Sequence, residues 1–372
     1  MNLFIEPIEP RLREEAAAFN ERMRRANAPT DFVLSPGAEA FVQTGAVTTT
    51  HYIARDQDDH VRGGMMCQEY PALVAGRTER VVNISAPISE GIVDSAYTFV
   101  GPLLIKHAVG RNRHAFVVGM GMASNPLPRL LKAMGWTIRV VPFYYRLIHA
   151  GRCLRHLRPV RTTRTRRLLG GIASRTGVAA LGARIAHRPS TSAHRAAARF
   201  ETEPIDTWDD SANAAWSAFA PGLSFGVKRT PDTLPFFYPL NGSGLRAWKL
   251  KRNGTSSGWF GMLVTRMSAN EYFGDLTVAT LTDCVGSAAA VEAATMIAVE
   301  HAKACGADIL ITNQQHVRVR ESCAAAGWRP GPSNFLLATS RSLSEALHES
   351  TTYVTRRDGD GLVNLARGGP RR

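Results

Sequence analysis

Read for its apolar and polar positions, the chain falls into two stretches of strand and helix patterns with a polar, arginine-rich interval between them. From about 10 to 150 the spacing predicts a helix over Arg11–Ala26 and strands over Ala46–Arg55, His60–Cys67 and Glu79–Ala86. An apolar helix over Tyr97–Val109, a short buried strand at Ala115–Val118 and a helix at Leu127–Met134 stopped by Gly135 follow, then a β-rich run over Thr137–Ile148. From about 200 to 345 the strand candidates are Leu245–Lys251, Gly258–Met267 and Leu276–Asp283, in an antiparallel meander. An Ala-rich helix over Ala288–Ala304 closes at Cys305-Gly306; a buried strand Asp308–Thr312, a helix Val317–Ala326 ended by Gly327 and a strand Phe335–Thr339 complete the pattern.

The tail of the second stretch repeats the order of the first. His114 to Trp136 and Asp308 to Trp328 each read as an apolar strand, a polar turn, a helix and an Ala-x-Gly-Trp step into a strand, with Ala133-x-Gly135-Trp136 matching Ala325-x-Gly327-Trp328. One fold used twice is the expectation. A length of 372 residues leaves room for two domains at roughly 150 residues each.

Charge changes the picture at one place only. The net charge is +14, and twelve Arg with no Asp, Glu or Lys lie between Arg152 and Phe200, so the rest of the chain is close to neutral at +2. Within that interval Leu168–His187 reads as an amphipathic helix weakened by four Gly, and Arg188–Ala198 as linker. Three readings of Arg152–Arg199 stay open: a nucleic-acid arm, an interfacial element against anionic lipid heads, or a solvated linker or packed helix. Nucleic acid ranks behind the others, since no aromatic residues interleave the arginines and no helix-turn-helix or zinc signature accompanies them. No apolar run reaches the ~18–20 residues of a membrane span, and the first residues lack the pattern of a signal peptide. The expectation is a cytoplasmic protein, with peripheral contact at the inner membrane face if the interfacial reading holds. Cys67, Cys153, Cys284, Cys305 and Cys323 form no C-x-x-C pair and no zinc-spaced cluster with His, so no metal is expected.

A strand, a polar turn, a helix and a small-x-Gly-aromatic step resembles the C-terminal half of the GCN5-related N-acetyltransferase (GNAT) fold. The matching frames are Ser124-x-x-Leu127-x-x-Leu130-Leu131-x-Ala133-x-Gly135-Trp136 and His316-x-x-Val319-x-x-Ser322-Cys323-x-Ala325-x-Gly327-Trp328. The resemblance implies an α/β (α+β) chain of two tandem GNAT-like domains, each a mixed, mainly antiparallel sheet flanked by helices. Their expected bounds are 1–150, a half expected to be degenerate because it lacks both the phosphate loop and the acid, and 200–345, with the Arg-rich segment 151–199 between them and a basic disordered tail over 346–372. It also implies acetyl-CoA as acyl donor and an amine of a small molecule or sugar as acceptor. The chain is further similar to GNAT-like proteins associated with bacterial exopolysaccharide clusters, so a non-catalytic binding or assembly factor in envelope polysaccharide production is the competing expectation.

The family's phosphate loop, Gln/Arg-x-x-Gly-x-Gly/Ala, is incomplete in both halves. Ala96–Gly101 keeps only the last glycine; Cys284-Val285-Gly286-Ser287-Ala288 keeps enough small residues for backbone N–H groups to approach a phosphate, with a plain strand-to-helix turn as the equal alternative. Leu131 and Cys323 stand where the family carries its tyrosine acid. The active cleft is therefore expected in the second half. Gly286, Ser287, Ala288 and Asn313 are the cofactor-binding candidates; Asp283 is the candidate base, with Asp275 and His316 behind it. For Asp283 a strand-end turn, and for His316 a solvated helix start, are the alternatives. Glu69 and Glu90 are weaker candidates in the first half.

Overall fold

Two hairpins set the register of the sheets in this computed structural model, which describes residues 2–28, 34, 38–157, 178–240 and 244–359. Ala75-Gly76 and Asn253-Gly254 each place two successive residues at positive φ, the backbone of a two-residue turn matched to strand twist. The first joins β4 (Val61–Val74) to β5 (Arg77–Ser89) and the second joins β11 (Leu245–Arg252) to β12 (Thr255–Arg266).

Of the described residues, those within 2–139 and 336–347 form one unit and those within 140–335 and 348–359 the other. The first contains β1 (Phe4–Pro7), α1 (Arg13–Arg25), β2 (Phe41–Thr44), β3 (Val47–Arg55), β4, β5, α2 (Val100–Arg111), β6 (His114–Val118), α3 (Pro126–Ala133) and β7 (Thr137–Val140). The second holds β8 (Phe143–Leu147), α4 (Ala150–His156), α5 (Val178–Ala186), α6 (Thr191–Ala197), β9 (Glu201–Pro204), α7 (Asp210–Phe219), β10 (Phe225–Val227) and α8 (Leu234–Phe237). After β11 and β12 it continues through β13 (Thr277–Gly286), α9 (Ala288–Ala304), β14 (Ile309–Asn313), α10 (Val317–Ala325) and β15 (Arg329–Gly331). β16 (Leu336–Thr339) and α11 (Arg341–Ala346) return to the first unit, and β17 (Thr352–Tyr353) to the second.

Strand order repeats between units. The first sheet runs β1-β3-β4-β5-β6-β16-β7, with β2 beside β1 on the same edge of β3; the second runs β9-β11-β12-β13-β14-β8-β15. In each, a parallel pair sits at the fourth and fifth positions, β5 with β6 and β13 with β14. In each, the strand next to that pair comes from the other half of the sequence: β16 pairs antiparallel with β6, and β8 with β14. The expected divisions at 150 and 345 are corrected accordingly. The run Thr137–Ile148 is two strands in two sheets, cut at Val141-Pro142, where the Val141 N–H donates to Phe335 O and the Pro142 carbonyl accepts from the Gln314 N–H.

The repeated Ala-x-Gly-Trp frame has a physical reason. Gly135 and Gly327 take φ of 82° and 78°, and the following tryptophan N–H donates back to Leu131 O or Cys323 O, closing each helix with a left-handed glycine cap. Trp328 is then buried and donates its indole N–H to Thr295 O on α9. In the first unit, α2 lays Val100, Leu104, Ile105 and Ala108 on Tyr52, Met65, Val82 and Ile84, whereas α1 packs Ala16, Phe19 and Met23 on Ile53, Val61 and Ile88. Tyr52 and Ile53 face opposite ways because side chains alternate along a strand. Val82 and Ile88 share parity yet lie in different cores, because a bulge at Ala86-Pro87, with Ala86 at φ 46°, shifts the pleat by one.

The stretch expected as a disordered tail from 346 is folded as far as residue 359: Thr352, Tyr353, Val354, Thr355 and Asp358 are all buried. Residues 360–372 lie outside the described residues, as do 158–177, which hold the first half of the predicted Leu168–His187 helix; its second half is α5.

Candidate active site

In the second unit β13 and β14 pair only from Val278↔Ile309 to Thr280↔Ile311, then part. Thr312 Oγ1 donates across the opening to Leu281 O at 2.7 Å. The β12–β13 register slips between Gly261↔Asp283 and Met262↔Leu281, leaving Thr282 as an extra residue that turns Asp283 inward. The first unit repeats this: β5 and β6 pair only from Val81↔His114 to Asn83↔Phe116, and the Ala86-Pro87 bulge follows.

At the far end of β13, Gly286 adopts φ 150°, and a Cβ there would lie 2.5 Å from Gly258 Cα and from Ser257 O. Only glycine lets β12 pass so closely, so a side chain at 286 would disturb packing before it met any ligand. Ser287 caps α9, its Oγ accepting from the Ala290 N–H at 3.3 Å, while Ala288 stands exposed in the first turn.

Chain from the C-terminal segment fills the parting of β13 and β14. Thr355 makes an antiparallel bridge with Gln314, and the Gln315 N–H donates to Val354 O at 3.2 Å. The Tyr353 hydroxyl donates to the Asp283 carboxylate and receives the Cys284 N–H at 3.4 Å. Arg356 Nε donates to Asn313 Oδ1 at 2.6 Å. Beneath lies Arg229, fully buried, with Nε on Asp283 Oδ2 at 2.6 Å, Nη2 on Asp358 Oδ1 at 2.7 Å and the Phe237 ring centre 4.6 Å from its guanidinium carbon. Asp358 Oδ2 accepts the Thr355 N–H at 2.8 Å, completing a capping box with Thr355. Burial pushes the Asp283 carboxyl up to about 6; Arg229 pulls it back and Asp358 adds to the rise. The Arg229 guanidinium keeps its charge, because the two carboxylates outweigh its own loss of solvent.

The predicted residues separate under this geometry. Asp283 and His316 both face Tyr353, but Asp283 is sealed in an ion pair and exposes no surface. His316 opens α10 without capping it; it is 5% exposed, with its ring 5.3 Å from that of Phe219, so the solvated helix start is corrected. Burial, with Arg318 close by, pulls its pKa down to about 4. Asn313 is occupied: besides receiving Arg356, its Nδ2 donates to Ser333 Oγ at 3.2 Å and lies within 3.4 Å of the Val141 and Pro142 carbonyls. With the C-terminal segment in place its Nδ2 is engaged within the protein and its Oδ1 receives Arg356. Asp275 stands eight residues before Asp283, about 26 Å away along an extended strand, exposed and accepting the Ala269 N–H. It does not belong to this site. Cys323 is fully buried. In the first unit Glu90 is buried between Arg22 and Arg62, each at 3.0 Å, and Glu69 stands on β4 facing Arg80. Arg229, Tyr353 and Asp358 were not singled out from sequence, and no local pattern marks them.

Solved structures share this architecture. A GCN5-related N-acetyltransferase from Anabaena variabilis aligns over 91% of this chain and 72% of its own with a TM-score of 0.52 and 9% identity. The GCN5-related glucosamine N-acetyltransferase region of a fungal multi-domain GH3 β-N-acetylglucosaminidase aligns over 91% of this chain and 38% of its own, at 0.50 and 12%. A tandem GNAT protein from the clavulanic acid biosynthesis pathway aligns over 92% and 99%, at 0.48 and 12%. No protein-family model and no curated protein sequence matches. At such identities the likeness is one of fold: two GNAT-like units in tandem, each a mixed sheet flanked by helices.

Proposed function

We propose that the chain is an acyl-CoA-dependent N-acyltransferase, with acetyl-CoA as donor and an amine of a small molecule or sugar as acceptor, acting where β13 and β14 part. One observation carries this reading: the parting strands, the bulge that turns Asp283 inward and the open first turn of α9 converge at one end of the second sheet. The Ala288 backbone N–H at the start of α9 would face the donor's pyrophosphate, with Gly286 letting the strand pass, while the Ser287 N–H is donated to Ser257 O at 3.0 Å. No donor is part of the structure, and bound coenzyme A would supply the activated acyl carbonyl. Asp283, its pKa lifted toward neutrality, would take the proton that the acceptor amine loses.

A second reading, a non-catalytic factor in envelope polysaccharide production, is favoured by the C-terminal segment lying in the same opening. Calorimetric titration of acetyl-CoA and desulfo-CoA into the wild type and an Asp358→Asn chain separates the two. Binding by either chain supports the enzyme; no heat from both at high micromolar ligand removes it.

We also propose that the Arg152–Arg199 segment meets anionic lipid. Leu181 and Ile185, one turn apart on α5, are 61% and 69% exposed, the highest values among the described large apolar residues. Each basic residue near such a surface contributes about 1 kcal/mol. Replacing Arg161, Arg164, Arg166 and Arg167 with Gln should therefore cut binding to anionic vesicles at least tenfold, most visibly at low salt. Unchanged co-sedimentation would return the segment to plain linker. No described helix is long and apolar enough to cross a membrane.

A further inference from the structure

Past β17, whose residues pair with β10 as Phe225↔Thr352 and Gly226↔Tyr353, the segment Val354–Asp358 is held in the second unit by few backbone ties. Among the described residues, one bridge, Gln314↔Thr355, and one further hydrogen bond, Gln315 N–H to Val354 O, join it to the strand extension beyond β14. Side chains do the rest: Arg229 on Asp358, Arg356 on Asn313 and Arg357 on the Phe236 and Phe237 carbonyls. The seat beneath it is also unfinished. Gln314 Oε1, both amide atoms of Gln315 and His316 Nδ1 are buried without a protein partner. A buried polar atom left unpaired costs about 1–3 kcal/mol unless water reaches it. The closed arrangement thus strains against polar groups that an opened cleft would expose, while the Asp358–Arg229 ion pair, beside the Arg357 bonds to carbonyls, fastens the end of the segment.

We propose that Val354–Asp358 is a displaceable strap: it closes the parting of β13 and β14, Asp358 on Arg229 is its latch, and the acyl donor enters only when it withdraws. This rests on the acyltransferase reading and adds regulation of that site. A donor that binds only the open form has its apparent affinity reduced by the open fraction, so anything that loosens the latch tightens binding.

Two variants of the full chain test this, both in a Cys305→Ser background that removes the exposed thiol. Asp358→Asn weakens the latch while leaving Arg229 on Asp283. Gln314→Cys with Thr355→Cys places two thiols across an antiparallel bridge, where Cα separations suit a disulfide, so oxidation pins the strap and dithiothreitol frees it. Acetyl-CoA should bind Asp358→Asn at least tenfold more tightly than the parent. The oxidised double-cysteine chain should lose binding, and reduction should restore it. Thermal melts confirm that both variants fold. Equal binding by oxidised and reduced forms would overturn the strap and leave the acyltransferase reading standing. No binding by parent, Asp358→Asn and reduced chains alike would overturn both.

Discussion

Replacing Arg229 with methionine should destabilise the second unit by about 3–5 kcal/mol, the range seen when one partner of a buried ionic group is removed and the other stays behind. Here two carboxylates stay behind, Asp283 and Asp358, neither with solvent to turn to. Methionine preserves much of the packing against Phe237, so the loss reports charge more than volume. At about 2–4 °C per kcal/mol for a domain this size, the thermal midpoint should fall by roughly 6–20 °C. The triple variant Arg229→Met, Asp283→Asn, Asp358→Asn should recover most of that loss, because amides left in the same seat carry no unpaired charge. Thermal melts followed by circular dichroism decide it. A single variant that loses under about 1 kcal/mol, or a triple variant that recovers nothing, would mean the cluster is not held by its charges.

What the sequence made legible here was local. The glycine caps at Gly135 and Gly327 announce themselves as Ala-x-Gly-Trp because a left-handed residue followed by a buried aromatic needs those types at that spacing. The helix Ala288–Ala304 and the position of Asp283 on its strand follow from equally short windows. The exchanged strands did not show, since nothing in Phe335–Thr339 says that its partner is Phe116–Val118 rather than a strand of its own half. Pro142 marks the cut in the Thr137–Ile148 run, though its effect depends on which sheet each side joins.

The candidate site divides the same way. Asp283 lies where a strand-end carboxylate was expected, yet its chemistry is set by Arg229, 54 positions away, and Tyr353, 70 positions away. Asp358 opens an Asp-Gly-Asp-Gly run that reads as loose chain, and becomes a buried anion only because a guanidinium waits for it. Asn313 was placed correctly at the strand end, but its amide was assigned to a ligand when neighbouring carbonyls and Arg356 already claim it. Position is a local property of a strand; availability depends on every segment that packs against it.

His316 should give the second unit a stability that fades in acid. Buried between Phe219 and Tyr353 with Arg318 near, its folded pKa is about 4 against 6.5 for a free imidazole. The unfolded chain therefore takes up a proton as pH falls through 6.5, and the folded chain declines it until about 4. The contribution is complete above pH 6.5 and lost progressively between 6.5 and 4, about 3 kcal/mol in all at 1.36 kcal/mol per pH unit. Asp283 works against this. With its folded value near 6 and its unfolded value near 3.8, the folded chain gains a proton first, so that group stabilises as pH falls through the same window. The two effects oppose one another in the wild type, where burial also pulls His187 and His301 down and adds to the loss in acid. A difference measurement exposes the imidazole: His316→Phe keeps an aromatic ring in the seat and removes the titration. Urea unfolding of both chains at pH 4, 5, 6 and 7 should show the wild type losing about 3 kcal/mol relative to the variant between pH 7 and pH 4. A difference that moves by less than about 1 kcal/mol would mean that the imidazole can reach solvent, and that the seat beneath the C-terminal segment is wetter than its geometry implies.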